Sequence, residues 1–287
     1  NRQVGTHREE RRYRPGMNIR PRSATVGPGS PALSADERTT FERDGLLVVR
    51  GWSDPAVVAQ AHDEAARQLA VRQPPLELEA EVGYPGAPAS TATAGGQTVR
   101  RLLRAHDRGE PFRALAASAA LGQLLRELML ADGDPQPVLM AQAHHNCVMT
   151  KMPSFSSQTN WHQDVRYWSY ERPELVSAWF ALGRETEENG CLSFIPGTHR
   201  MNFARDRLDD ALFLRQERED NRALLATAVT PPLEPGDLVL FHCRLFHAAG
   251  RNRTQETKFS LVCTYRTGDN LPLRGTKSAS AGDVAVG

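Results

Sequence analysis

No apolar run in this sequence is long enough to cross a bilayer, and no stretch has the form of a signal-peptide core. Cysteine is scarce. Cys147, Cys191, Cys243 and Cys263 are widely spaced and form no C-x-x-C, so neither a zinc ribbon nor a disulfide framework is indicated, and reduced thiols are expected. Charge of one sign is also missing: 35 basic and 34 acidic side chains leave a net charge of +1, which points to no nucleic-acid or polyacidic partner. There is no internal repeat. These absences predict a cytoplasmic protein with no membrane or nucleic-acid partner, acting as a monomer or small homo-oligomer.

A chain of 287 residues with 40% hydrophobic content can bury a sizeable core. Residues 1–33 are rich in Arg, Pro and Gly without an apolar period, and predict a mobile basic arm. Residues 34–287 predict one domain: a helical buttress over 34–135, then a metal-binding β unit over about 136–270. Ser34-Ala35-Asp36-Glu37 is a capping box opening a short helix to Arg43, and Leu46-Leu47-Val48-Val49 is the first strand. Ser53-Asp54-Pro55 caps a helix whose Val57, Ala61, Ala65 and Leu69 form one stripe. Residues 73–98 hold Pro, Gly, Ala and Thr without a period and predict a loop. Pro111 opens a second helix, with Leu121, Leu124, Leu125 and Leu128 facing inward until Asp132-Gly133.

The chemistry concentrates in the C-terminal half. Asn160-Trp161-His162-Gln163-Asp164 carries an H-x-D, and Phe241-His242-Cys243-Arg244-Leu245-Phe246-His247 carries two later histidines. On an extended strand, residues two apart point to one side, so His162 and Asp164 can grip the same ion. A distal histidine from the later segment would complete a two-histidine, one-carboxylate face, the donor set of a non-haem Fe(II) centre with open positions opposite. The bland alternatives are a solvated turn residue at His162 and a packed core histidine at His247.

Strand signals surround these motifs. Leu175 to Leu182 reads as a strand, and Asn189-Gly190 predicts a type I′ hairpin turn into Cys191 to Ile195, which Pro196-Gly197 ends. Pro235-Gly236-Asp237 turns the chain into Leu238 to His242, and Lys258 to Tyr265 reads as one more strand. Short strands separated by turn dipeptides predict a mainly β fold with flanking helices, an antiparallel jelly roll. Residues 201–230, charged and Leu-bearing, interrupt the series and are expected over the barrel mouth.

The run His162-Gln163-Asp164, Asn189-Gly190-Cys191-Leu192, Pro196-Gly197-Thr198-His199, Pro235-Gly236-Asp237, Phe241-His242 and His247 resembles the phytanoyl-CoA dioxygenase family, roughly over residues 34–270. The resemblance implies a double-stranded β-helix, cupin-like, and an enzyme dependent on Fe(II), 2-oxoglutarate and O2. It implies His162, Asp164 and His247 as metal ligands, with His242 a supporting residue behind them or a packed strand-end residue. Two departures stand out. The family's arginine eleven residues beyond the distal histidine is here Lys258, and its small hydroxyl residue two beyond that histidine is Ala249. Lysine offers a point charge without the planar fork of arginine. Lys258 is still expected to hold the remote carboxylate of 2-oxoglutarate, with Arg266 the alternative. Trp179 aligns with a tryptophan lining the cosubstrate pocket, and it is equally placed to be core.

His145 shares a strand face with Cys147, Met149 and Lys151 and is a candidate cosubstrate or substrate contact. Arg104 resembles a basic residue that some members use near the ligand, and a solvated residue on a helix is the competing reading. The carboxylate at Asp164 argues against halogenation, for which related enzymes carry a small residue there. Hydroxylation of a small molecule is the expected outcome, with epimerisation, desaturation or cyclisation through a substrate radical as variants. The Ala-, Arg-, Gly- and Pro-rich composition suggests a bacterial source and a role in tailoring a specialised metabolite such as an antibiotic. Tyr167, Trp168 and Tyr170 beside the motif would suit a large, partly apolar substrate. A metal-dependent jelly-roll isomerase and a non-catalytic binding module are the competing readings.

Overall fold

The structure, a computed structural model, describes residues 33–287, and the expected arm lies almost wholly outside them. Five α-helices are present among these residues: α1 (Ala35–Asp44), α2 (Pro55–Ala70), α3 (Glu110–Ala116), α4 (Ala119–Met129) and α5 (Glu219–Leu225). Twelve strands follow the order β1 (Leu46–Val49), β2 (Leu76–Leu78), β3 (Val99–Leu103), β4 (Val138–Ala141), β5 (Asn146–Lys151), β6 (Thr159–His162), β7 (Val176–Ala181), β8 (Leu192–Phe194), β9 (Leu238–His242), β10 (His247–Ala249), β11 (Lys258–Thr267) and β12 (Asp283–Ala285).

The strands form two antiparallel sheets. The larger runs β1-β9-β7-β11-β5-β3-β2, with β4 continuing beside β11 and β12 beside β4; the smaller runs β6-β10-β8. Side-chain alternation decides which core each residue joins. On β7, Val176, Ala178 and Phe180 face the helices, whereas Trp179 and Ala181 face the small sheet. On β9, Leu238 and Leu240 face the helices and Val239 and Phe241 face inward. Both faces of the large sheet are thus covered, and all ten residues of β11 are buried.

The helices form where local chemistry satisfies their ends. Ser34 and Glu37 exchange the reciprocal bonds of a capping box, with Glu37 N–H donating to Ser34 Oγ at 3.2 Å and Ser34 N–H to Glu37 Oε2 at 2.8 Å. The Asp54 side chain caps α2, whose Ala61 and Ala65 are fully buried. The single helix expected from Pro111 is two, because Ser118 leaves the helix and caps α4 by accepting the Leu121 N–H at 3.2 Å. Tyr265 on β11 donates to the Ala116 carbonyl at 2.8 Å and ties the end of α3 to the sheet.

Three further expectations change. The 73–98 stretch contains β2, which extends the sheet at β3, so it is in part regular structure. Asn189-Gly190 makes no hairpin: it joins β7 of the large sheet to β8 of the small one, and only Gly190 of the two has positive φ (76°). Asn189 instead closes the turn with its side chain, accepting from Thr186 N–H at 2.8 Å and donating to the Arg184 carbonyl at 2.8 Å. A Cβ at Gly190 would lie 2.5 Å from the Gly250 carbonyl oxygen, so both φ and space require glycine. Residues 201–230 mostly back the outer face of the small sheet, where Phe203, Leu208 and Leu224 pack on Phe246 and Leu214.

Phe180 is 1% exposed between the large sheet and the helices. Phe180→Ala is expected to destabilise the protein by about 3–5 kcal/mol, read as a lower urea midpoint with an unchanged slope.

Candidate active site

The small sheet brings the expected triad together. His162 ends β6 and His247 begins β10, and the two are direct cross-strand partners with ring centroids 4.3 Å apart. Asp164 is not on the strand as expected; it opens a 3₁₀ turn. Gln163 between them is still extended (φ −111°, ψ 134°), so Asp164 keeps the side that a strand would have given it. All three residues are buried, and one ligand atom from each lies within 4.8 Å of the others.

The hydrogen bonds around the triad orient its lone pairs. His162 Nδ1 lies 2.8 Å from the Asn160 carbonyl and His247 Nδ1 lies 3.0 Å from the Leu245 carbonyl. A carbonyl only accepts, so each Nδ1 carries a proton and each Nε2 is the ring nitrogen turned to the site, where a metal would take it. Both Nε2 atoms face Asp164 Oδ1, at 3.7 and 3.5 Å. That oxygen is buried and has no hydrogen-bond partner. Burial, with His247 as neighbour, pushes the His162 imidazole down to about 3, so it is neutral at pH 7. The buried Asp164 carboxylate thus has one oxygen with no hydrogen-bond donor, turned toward two imidazole nitrogens. Such an arrangement is costly unless a cation sits among the three groups, so these residues fit a divalent metal.

A cavity of about 50 Å³ adjoins the triad. Its walls carry His145, whose Nδ1 lies 3.5 Å from Asp164 Oδ2 and whose pKa burial lowers to about 4. At the far wall stand Trp179 and Lys258. Lys258 Nζ lies 5.0 Å from the Trp179 ring centroid, and it donates to Glu185 Oε2 and Ser260 Oγ, both at 3.0 Å. Ala249 lines the same cavity. A larger depression, about 900 Å³, lies between α2 and Phe259 on the helical side of the sheet and includes none of the triad.

Several expected residues lie elsewhere. Arg104 is exposed in a left-handed conformation just past β3, and the cavity is lined instead by Arg100 and Arg101. Arg101 pairs with Met149 across β3 and β5 and so faces inward, a position that the alternation of β3 could have indicated. His242 is on the helical side of β9, beside the His199 ring (5.3 Å), with its Nδ1 accepting from Arg244 N–H at 3.1 Å. Its neighbour on the strand, Phe241, is the residue that reaches His247, with ring centroids 5.0 Å apart. Arg266 is committed to Asp283 and to the carbonyls of Thr267, Gly268 and Asn270.

The mouth is closed by aromatics from three segments. Tyr84 and Tyr167 share a hydroxyl–hydroxyl bond of 2.7 Å, and Phe213 packs on the edges of Tyr84 (5.7 Å) and His162 (5.9 Å). The Arg166 guanidinium lies against Tyr167 (4.7 Å) and Phe213 (4.1 Å). Trp168 and Tyr170 turn away into a separate cluster with Leu175 and Cys243. Tyr84 and Phe213 carry no signal in the sequence, since a lone aromatic in a loop reads equally as packing. All four cysteines are free and buried, and burial raises their thiol pKa values, so none is poised as a thiolate.

Comparison with known proteins follows the same lines. The family model for phytanoyl-CoA dioxygenase (PhyH) matches residues 41–260. Peroxisomal phytanoyl-CoA dioxygenase from Homo sapiens is 24% identical over 268 residues, covering 89% of this chain and 75% of that protein. Ectoine dioxygenase from Sphingopyxis alaskensis is 25% identical over 280 residues, covering 90% and 85%. Among solved structures, EctD from S. alaskensis with 2-oxoglutarate and 5-hydroxyectoine aligns with a TM-score of 0.67 at 24% identity, covering 84% of this chain and 78% of that one. The epimerase SnoN with Fe3+, alpha ketoglutarate and nogalamycin RO aligns with a TM-score of 0.62 at 24% identity, covering 80% and 82%. The structural likeness places the fold with theirs.

The unpartnered Asp164 oxygen leads to an expected outcome. Anaerobic Fe(II) should raise the melting temperature of the wild-type protein, by about 2.7 kcal/mol of stabilisation at a hundredfold excess over the dissociation constant. Asp164→Ala should remove that gain. A variant that keeps the full metal-dependent shift would show that the ion binds elsewhere.

Proposed function

The chain belongs to the phytanoyl-CoA dioxygenase family of Fe(II)- and 2-oxoglutarate-dependent oxygenases, and from that premise we propose that it oxidises a C–H bond of a small molecule, with His162, Asp164 and His247 as the iron ligands. The observation that carries the reading is the pair of Nε2 atoms aimed at the orphaned Asp164 oxygen within one small volume. When bound, iron with 2-oxoglutarate and O2 supplies a one-electron oxidant for the substrate, with succinate and carbon dioxide as coproducts.

The chain's own residues supply orientation and shelter. Asn160 and Leu245 carbonyls hold the imidazole tautomers. His145 and Ser177 both stand at Asp164 Oδ2, with His145 Nδ1 at 3.5 Å and Ser177 Oγ donating at 3.4 Å, which leaves Oδ1 to the triad. Trp179 and Lys258 form the end of the cavity that would take the remote carboxylate of 2-oxoglutarate, and Arg104 has no part in it. Tyr84, Tyr167 and Phe213 close the opposite side and exclude water. A 50 Å³ cavity is far smaller than an ordinary ligand site, so these three side chains must move for a substrate to enter.

The finer reading is tailoring of a bacterial specialised metabolite, by hydroxylation or by epimerisation or cyclisation through a substrate radical. It is supported by the composition and by an aromatic mouth suited to a partly apolar substrate. SnoN is an epimerase, which illustrates how the same fold accommodates outcomes beyond hydroxylation. We place the protein in the cytoplasm; no described helix is long and apolar enough to cross a membrane.

Anaerobic Fe(II) plus 2-oxoglutarate should produce the weak visible metal-to-ligand charge-transfer band, and exposure to air should yield succinate. His247→Ala should abolish the band, whereas His242→Ala should keep it, because His242 is on the other face of the sheet. Phe213→Ala should also keep the band while raising substrate-free succinate formation severalfold through water access. Loss of the band in a folded Phe213→Ala protein would mean that the mouth segment helps build the metal site.

A further inference from the structure

Four cationic side chains line the cavity beside the triad: Arg100, Arg101, Lys151 and Lys258. Three have acidic partners within the protein. Arg100 pairs with Glu79 at 3.4 Å, Arg101 with Glu77 at 3.1 Å, and Lys258 with Glu185 at 3.0 Å. Glu185 is fully buried and held by three donors, the third and second being Trp179 Nε1 at 2.9 Å and Ser260 Oγ at 2.6 Å. The expected carboxylate-binding lysine is therefore already neutralised by a carboxylate of the chain itself.

Lys151 is different. It is 6% exposed, and its Nζ donates only to the backbone carbonyls of Ser157 (3.0 Å) and Gly250, so one of its three N–H groups is unused. Among the described residues no carboxylate lies within 4 Å of it. It also stands directly opposite Lys258 across β5 and β11, both side chains turned into the barrel. Like charges in that position are destabilising, and an unpaired buried ammonium more so. A fold keeps such a group at a cost in stability, and an anion entering the cavity would offset it.

Resting on the proposed use of 2-oxoglutarate, we propose that Lys151 supplies the uncompensated positive charge that receives the remote carboxylate of the cosubstrate, while Lys258 and Glu185 form a neutral clasp beside it. Burial, together with Arg100 and Lys258, lowers the Lys151 pKa to about 7, against the opposing influence of Glu79 and Cys191. A carboxylate arriving next to it would raise that pKa, so cosubstrate binding takes up a proton. Affinity is then constant below about pH 7 and weakens as pH rises above it.

The test uses the full chain with anaerobic Fe(II), 2-oxoglutarate and the charge-transfer band as a binding readout, alongside the melting temperature of the metal-free protein. Lys151→Met should weaken 2-oxoglutarate roughly ten- to hundredfold, abolish the pH dependence above 7, and raise the melting temperature. It should leave 2-oxobutyrate, which lacks the remote carboxylate, unaffected. Glu185→Gln should tighten 2-oxoglutarate by freeing Lys258, and this second variant reads the charge balance without touching Lys151. A merely structural lysine predicts the opposite pattern: a lower melting temperature in Lys151→Met with unchanged 2-oxoglutarate affinity, and no gain in Glu185→Gln. Either of those results overturns the proposal. If the wild-type protein gives no band with 2-oxoglutarate although Fe(II) raises its melting temperature, the cosubstrate reading itself fails, and this inference with it.

Discussion

His162 and His247 sit opposite each other because β6 and β10 pair in one register, and the geometry of the site depends on that pairing. Side chains alternate with a period of two, so a slip of one residue in β10 would turn His247 to the outer face and bring Ala248 or Phe246 inward. The inner face of β9 guards the register from the far side, with the Phe241 ring packed on both Phe194 and His247. β8 completes it, since Phe194 pairs with His247 on the other edge of β10. A metal site that looks like three residues is thus held by the packing of two sheets.

The same enclosure sets the electrostatics. Water would solvate imidazoles, a carboxylate and ammonium groups without preference, but the barrel removes water and leaves each group dependent on named partners. Nδ1 atoms find carbonyls, Arg100 and Arg101 find glutamates, and Lys258 finds Glu185. Among the described residues at the cavity and the triad, Asp164 and Lys151 have no partner of fixed opposite charge within 4 Å, and the two are of opposite sign. Stability is conceded at two points, one facing the cation that the triad fits and one facing the anion that the reading requires.

Much of this was legible in the residues. H-x-D spacing indicated two members of the triad, and the later segment offered two histidines, between which the family resemblance, not the residues themselves, chose His247. Turn dipeptides gave the β character, and capping residues gave the starts of α1 and α2. What failed did so for physical reasons. Asn189-Gly190 has the composition of a hairpin turn, yet here the side chain of Asn189 closes the turn and the flanking strands enter different sheets. Arg104 and Arg101 lie in one short run, and only the cross-strand partner of Arg101, Met149, reveals which of them turns inward. Glu185 was invisible because a lone glutamate before a turn reads as solvated, and its burial depends on a lysine 73 positions later.

The central place of β11 has a consequence for the order in which the molecule can assemble. This strand, Lys258–Thr267, pairs with β7 on one side and with β5 and β4 on the other, and it fills both cores at once. On a chain emerging from the ribosome, every strand it joins has been made long before it. Until it arrives, β5 and β7 each present an open edge, and the helices lack the Phe259, Leu261 and Tyr265 surface on which they rest. Until β11 is present that part of the core stays uncovered, and transiently exposed apolar surface of this kind is what chaperones bind. The cavity wall that carries Lys258 and Val262 therefore cannot form before the strand that joins the two cores.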